Sequence, residues 1–239
     1  MAQRFEDSHP AIRRILLFCI VRIIKLLARV SVSGVDNLPR RGSVLLVINH
    51  IGFFDPVVCG VLPRQLTPIA KKEAFDIPIF GPMMELYGTI SISRGDADLG
   101  AMKSALRVLK QGGVVMLAPE GTRSPNHQLQ AAKEGAVMLA LRSGAPVVPV
   151  GVTGTHRLKP YWRKIRRAPI NLSVGEPFYI RSMSPSGRAS RADMIAMTHE
   201  MMYRLARQLP PEFRGIYSNL DEATEKYIVS VSGARQPVH

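Results

Sequence analysis

The sequence predicts an α/β fold: a single mixed, mostly parallel sheet flanked by helices, with an N-terminal basic amphipathic helix. Three observations carry this expectation. Apolar runs at residues 43–48, 88–92 and 114–118 each end in polar and glycine-containing turns and lead into a helical pattern. The 239 residues show no internal repeat and suit one domain with a full core. The opening thirty residues are apolar but regularly interrupted by Arg and Lys.

The elements follow in order. Over residues 11–30, at 3.6 residues per turn, Arg14, Arg22, Lys25 and Arg29 fall within an arc of about 80°. Leu17, Ile20, Ile24, Leu27 and Ala28 occupy the opposite face. The longest uncharged run, 15–21, is far short of the ~20 residues a bilayer-spanning helix needs. No small-residue cleavage site of a signal peptide is present. An interfacial membrane helix is the reading, with a helix packed on the domain as the alternative. After the strand at 43–48, Asp55-Pro56 opens a helix over 55–62, with Asp55 as N-cap. A strand at 66–70 and the strand at 88–92 follow. The helix at 96–111 has an Asp start and a Gly112-Gly113 stop. The strand at 114–118, a helix at 129–143, strands at 147–153 and 170–174, and a helix at 191–209 complete the core. The segment after Pro210 is polar and mixed, and 230–239 reads as a loose tail. The expected division is 1–36 interfacial helix region, 37–229 main domain and 230–239 tail.

In a mostly parallel sheet the ends of the three strands at 43–48, 88–92 and 114–118 fall on one edge, where ligands bind. That edge carries His50 and Asp55 after the first strand, Arg94 after the second, and Glu120-Gly121-Thr122-Arg123 after the third. A histidine that takes a proton from an alcohol needs a partner to fix its tautomer and stabilise the imidazolium. Asp55, five residues on, supplies one by folding back, a role compatible with helix capping. Arginine grips phosphate with a two-pronged fork. The set places a base beside a phosphate-binding site.

Four blocks in this order resemble the phospholipid/glycerol acyltransferases of the 1-acylglycerol-3-phosphate acyltransferase type, from about residue 38 to 155. Asn49-His50 through Asp55 resembles the family's first block. Ala70-Lys71-Lys72-Glu73 and 77–81 resemble the joining segment, and Gly88 to Arg94 resembles the second block. Pro119-Glu120-Gly121-Thr122-Arg123-Ser124 resembles the third, followed by Lys133-Glu134-Gly135-Ala136, and Val147-Val148-Pro149-Val150 the fourth. Two departures stand out: Ser93 replaces the Asp usual before Arg94, and Ile51-Gly52 stands where Gln-Ser is common. The resemblance implies transfer of a fatty acyl group from acyl-CoA or acyl carrier protein to the free hydroxyl of lysophosphatidate, in phospholipid biosynthesis. His50 is then the general base and Asp55 its orienter. Arg94 and Arg123 bind phosphate, while Glu120, Gly121 and Thr122 belong to the acceptor site, Gly121 offering its N–H. Glycerol 3-phosphate or another lysolipid as acceptor, and a thioesterase or lysophospholipase using the same pair on water, remain alternatives.

No covalent acyl carrier is expected. The chain has no Gly-x-Ser-x-Gly elbow, and Cys19 and Cys59 lie in apolar surroundings. The histidines show no metal spacing, so no metal is expected and no cofactor beyond the acyl donor. Two cysteines fit a reducing compartment rather than a disulfide scaffold. The net charge of +14 calls for anionic partners: lipid surface, CoA phosphates or an acidic carrier. A basic membrane- or nucleic-acid-binding protein without catalysis is the reading from another class. Nucleic acid is not expected, because aromatics do not interleave with the basic residues outside 156–167. The expected location is monotopic, on the cytoplasmic face of a membrane.

Overall fold

The structure, a computed structural model, describes residues 10–93, 98–183 and 189–231. Helix α1 (Pro10–Leu27) runs into strand β1 (Ala28–Ser33). Then follow β2 (Val44–Ile48), the short α2 (Asp55–Val58), β3 (Leu66–Lys71), α3 (Phe80–Tyr87) and β4 (Ile90–Ile92). Next come α4 (Leu99–Lys110), β5 (Val114–Leu117), α5 (Gly135–Ser143), β6 (Val147–Thr153) and α6 (Leu158–Arg163). The described chain closes with β7 (Ala168–Val174), β8 (Phe178–Ile180), α7 (Arg191–Ala206) and β9 (Ile228–Ser230).

The sheet has the order β1-β7-β6-β2-β5-β3-β4, with β8 pairing β6 and β9 pairing β8. β2 lies between β5 and β6, parallel to both; β3 pairs parallel with β5 and β4, and β1 parallel with β7. Among the described residues, the antiparallel pairs are β6–β7, β6–β8 and β8–β9. Every residue of β2 is buried, because both faces of the sheet are covered. Leu45 and Val47 join a core roofed by α4, α5 and α7. Val44, Leu46 and Ile48 join a second core with Val58 of α2 and Leu158 of α6.

Several expectations change at the ends of elements. The N-terminal helix stops at Leu27, not Val30, because Ala28–Ser33 pairs with Ala168–Ser173 residue by residue. Arg29 therefore lies on an edge strand, off the helix face. The first 36 residues are not separate from the sheet, since they contribute β1. The face of α1 expected to meet lipid turns inward: Ile24 is buried, Leu17 lies against Gly60, and Ala28, now in β1, is buried as well. Arg13 fixes this orientation by donating to the Leu66 carbonyl at 3.2 Å and lying over the Tyr87 ring at 5.2 Å. Ile15, Phe18, Ile23 and Leu26 face out instead.

The helix expected at 129–143 begins only at Gly135, because the preceding amides serve other partners. Leu129 N–H donates to the Phe213 carbonyl and Lys133 N–H to the Pro119 carbonyl. The helix expected at 55–62 is α-helical only to Val58, with a 3-10 turn over Cys59–Val61. Helix α4 is capped by Asp98, whose carboxylate accepts from Ala101 N–H at 2.9 Å; Asp96, the expected start, lies outside the described residues. The polar C-terminal segment is fastened by buried Glu200, which accepts from Thr224 Oγ1, Lys226 N–H and Tyr227 N–H, and so delivers β9 to the sheet. Of the expected loose tail, Ser230 ends β9, and 232–239 lie outside the described residues.

Candidate active site

The site is built on the adjacent parallel strands β2 and β5. Where β2 ends, the buried Asn49 side chain continues its ladder to β6: Nδ2 donates to the Val152 carbonyl at 2.9 Å and Oδ1 accepts from Val152 N–H at 2.7 Å. The chain then turns, and the main chain of His50 is clasped by the loop after β5. His50 N–H donates to Glu120 Oε1 at 3.0 Å, and Ser124 N–H donates to the His50 carbonyl at 2.8 Å. Both backbone polar groups of His50 are thus fixed by residues about seventy positions away in sequence.

The side chain is fixed as tightly. His50 Nδ1 lies 2.9 Å from Asp55 Oδ2, with Asp55 fully buried and the His50 side chain 22% exposed. Asp55 Oδ2 also accepts from Ile51 and Gly52 N–H, both at 2.7 Å, and Oδ1 accepts from the Thr155 hydroxyl. Four donors converge on this carboxylate, so its pull is directed and satisfied. Asp55 is therefore not the N-cap of α2 but its first residue, following Phe54, and its carboxylate folds back over the preceding turn. An acceptor opposite Nδ1 holds the proton there and leaves Nε2 as the proton-accepting nitrogen.

Glu120 is 4% exposed, and its second oxygen accepts from Gln130 N–H at 3.0 Å. Burial pushes its carboxyl from the ordinary value near 4.5 up to about 7, against the opposing pull of the amide bonds from His50 and Gln130. Its place is beneath the histidine, binding two loops together. Gly121 has φ 65°, the left-handed region that favours glycine. Its N–H, expected to face a ligand, donates to the Ala118 carbonyl at 3.0 Å and closes the turn. Thr122 and Arg123 are exposed, and the Arg123 guanidinium lies over the Phe53 ring at 6.0 Å. Arg94 lies outside the described residues.

Sequence reasoning missed three groups here. Thr155 reaches Asp55 across 100 residues, a contact that carries no local signal. Asn49 was visible only as a neighbour of His50. An aromatic chain flanks the site, Phe53 against Phe80 at 5.1 Å and Phe54 against Trp162 at 5.5 Å. Elsewhere, burial and the Asp55 charge push the Cys59 thiol well above its usual range, which disfavours a thiolate nucleophile. Among the described residues no group of three or more His, Cys, Asp or Glu could hold a metal ion.

The clasp makes a stability prediction. Because folding favours neutral Glu120, its contribution is complete below about pH 4.5, declines as pH rises, and is gone above about pH 7. Glu120→Gln removes that slope. It also turns an amide NH2 toward a backbone N–H, costing about 1–3 kcal/mol. Urea unfolding from pH 4 to 8 checks both outcomes; equal stability of the two proteins at every pH would contradict them.

The acyltransferase family profile matches residues 29–153. A 1-acyl-sn-glycerol-3-phosphate acyltransferase of Bacillus subtilis is 28% identical over 185 residues, covering 77% of this chain and 89% of that one. The chloroplastic enzyme LPAT1 of Arabidopsis thaliana is 33% identical over 135 residues, covering 55% of this chain and 38% of its own length. The chain spans about half the length of the plant and algal relatives it matches. The crystal structure of the 1-acyl-sn-glycerophosphate acyltransferase PlsC from Thermotoga maritima superposes with a TM-score of 0.59 at 26% identity, covering 79% of this chain and 75% of that one. The match takes in more than half the sequence and the whole clasp around His50, so the chain belongs to the acyltransferase family.

Proposed function

We propose that the chain is an O-acyltransferase of phospholipid biosynthesis. It moves a fatty acyl group from a thioester, acyl-CoA or acyl carrier protein, to the free hydroxyl of lysophosphatidate. The observation that carries this reading is the His50–Asp55 pair, clasped at a strand edge with Nδ1 engaged and the ring partly open. The acceptor hydroxyl gives its proton to His50 Nε2 as its oxygen attacks the thioester carbonyl. The tetrahedral intermediate collapses, the C–S bond breaks, and the thiolate takes the proton from the imidazolium. Ester and free thiol leave, and no covalent enzyme intermediate is needed. Asp55 stabilises the imidazolium while it exists. Arg123 holds the acceptor phosphate, with Arg94 as its partner in that role. Glu120, with Gly121 at the turn beside it, shapes the acceptor pocket by fixing the His50 loop, and Thr122 contributes to the rim.

Both acceptor and product are lipids, which supports monotopic attachment at the cytoplasmic face of a membrane. Among the described residues no helix is long and apolar enough to cross one. The outer face of α1 suits an interface: Ile15, Phe18, Arg22 and Leu26 share an arc of about 80°.

His50→Ala is expected to lower kcat about 10²–10⁴-fold with the fold intact. It is a cleaner probe than Asp55→Asn, whose NH2 would face buried donors. Steady-state assay with circular dichroism checks this; a folded variant at near-normal rate would sink the mechanism. Arg123→Lys keeps the charge but loses the fork, so the KM for the phosphorylated acceptor is expected to rise more than that for the donor. A selective rise in donor KM would reassign Arg123 to the CoA phosphates.

A further inference from the structure

The turn after α6 carries a feature that catalysis leaves unexplained. Residues 163–167 read Arg-Lys-Ile-Arg-Arg. Ile165 at the tip is 97% exposed and has φ 51°. A β-branched residue in the left-handed region is strained, and such strain persists only where the surroundings enforce it. They do so here. Ile165 N–H donates to the Trp162 carbonyl and Arg166 N–H to the Tyr161 carbonyl, both at 3.0 Å. Trp162 Nε1 donates to the Leu27 carbonyl at 3.3 Å, and Arg167 to the carbonyls of Lys25 and Ala28, fixing the turn against the C-terminal end of α1. Leu26, 73% exposed, lies in that same last turn of the helix.

We propose that residues 163–167 form a second attachment point for an anionic bilayer, with Ile165 as an apolar wedge among four cations. The charges match phosphate headgroups, and the isoleucine gains only from an apolar layer beneath them. An acidic carrier protein would satisfy the cations but not the wedge. Trp162 also stacks edge-on against Phe54 in the His50 loop, so attachment here holds the mouth of the site at the lipid surface. The inference rests on the interfacial reading above and extends it beyond α1.

The test is Ile165→Gly in the full chain. Glycine accepts this φ freely, so the thermal midpoint should hold or rise. Affinity for vesicles of phosphatidylcholine and phosphatidylglycerol in equal parts should fall about tenfold, by the lost apolar insertion. Turnover on detergent-dispersed acceptor should not change. Lys164→Glu with Arg166→Glu should weaken binding to these vesicles but not to pure phosphatidylcholine. If Ile165→Gly floats like wild type, the turn is no attachment point, and the interfacial reading of α1 stands apart from it. If wild type does not float at all, the interfacial reading fails with it. If the variants lose an acidic carrier protein and keep the vesicles, the surface is a protein dock.

A separate observation concerns Asp55. A Cβ built on Gly52 would lie 2.7 Å from Thr155 Oγ1 and 3.2 Å from Asp55 Oδ1. Residue 52 and Thr155 thus compete for one position against the carboxylate. The φ of Gly52 is not in the left-handed region, so space and not backbone conformation excludes a side chain there. We infer that Thr155 is a positioning residue for the His50–Asp55 pair and that Gly52 is glycine to admit its hydroxyl. The inference rests on the proposed reaction, so wild-type turnover is its control. Thr155→Ala should lower kcat at least about tenfold, leave the acceptor KM unchanged and move the acid limb of the kcat–pH profile. Thr155→Ser should retain activity. Thr155→Val, which keeps the shape without the hydroxyl, should lose as much rate as Thr155→Ala. An unshifted pH profile in Thr155→Ala, or a Thr155→Val variant as active as wild type, would overturn it.

Discussion

The structure depends on one constraint: the main chain of His50 is bonded on both sides to the loop after a neighbouring strand. Glu120 takes its N–H and Ser124 N–H meets its carbonyl. A histidine on a free loop would sample many ring positions. Here the backbone is fixed by β5, the preceding residue by β6 through Asn49, and the ring by Asp55. Three neighbouring strands, β5-β2-β6, converge on one side chain. The parallel register makes this possible, because it brings the ends of β2, β5 and β6 to the same edge.

Burial gives the clasp its rigidity and its electrostatic character. Two carboxylates lie under the site and are held differently. Asp55 is surrounded by donors on both oxygens, so its charge is directed toward Nδ1. For Glu120, burial outweighs the amide bonds from His50 and Gln130, and its carboxyl is pushed up to about 7. The first suits a partner for a transient imidazolium, the second a bracket between loops. Burial pushes the Cys59 thiol up, which disfavours its thiolate beside this pair.

Much of this was legible in the sequence, for physical reasons. Strands β2, β5 and β6 are buried on both faces, so they read as continuous apolar runs, and the turns after β2 and β5 hold the residues that meet at the site. Edge elements are less legible: β4 is legible as the strand at 88–92, but β1, β8 and β9 are not. What makes β1, β8 and β9 strands is a partner: β7 for Ala28–Ser33, β6 for Phe178–Ile180, and β8 for Ile228–Ser230, whose approach Glu200 fastens. The orientation of α1 is not legible in the sequence because the helix is apolar on two sides, and tertiary contacts through Arg13 and Ile24 decide which side turns inward. Thr155 was hidden for a similar reason: its hydroxyl matters only because Gly52, far away in sequence, leaves room for it.

The central claim is that His50 activates a lipid hydroxyl and not water. Its most direct test is incubation of the purified chain with acyl-CoA labelled in the acyl group, with and without lysophosphatidate. Label and released thiol are then followed together. Labelled phosphatidate is expected, with one thiol released for each ester formed and little release when the acceptor is absent. Labelled free fatty acid at the same rate with or without acceptor would contradict it.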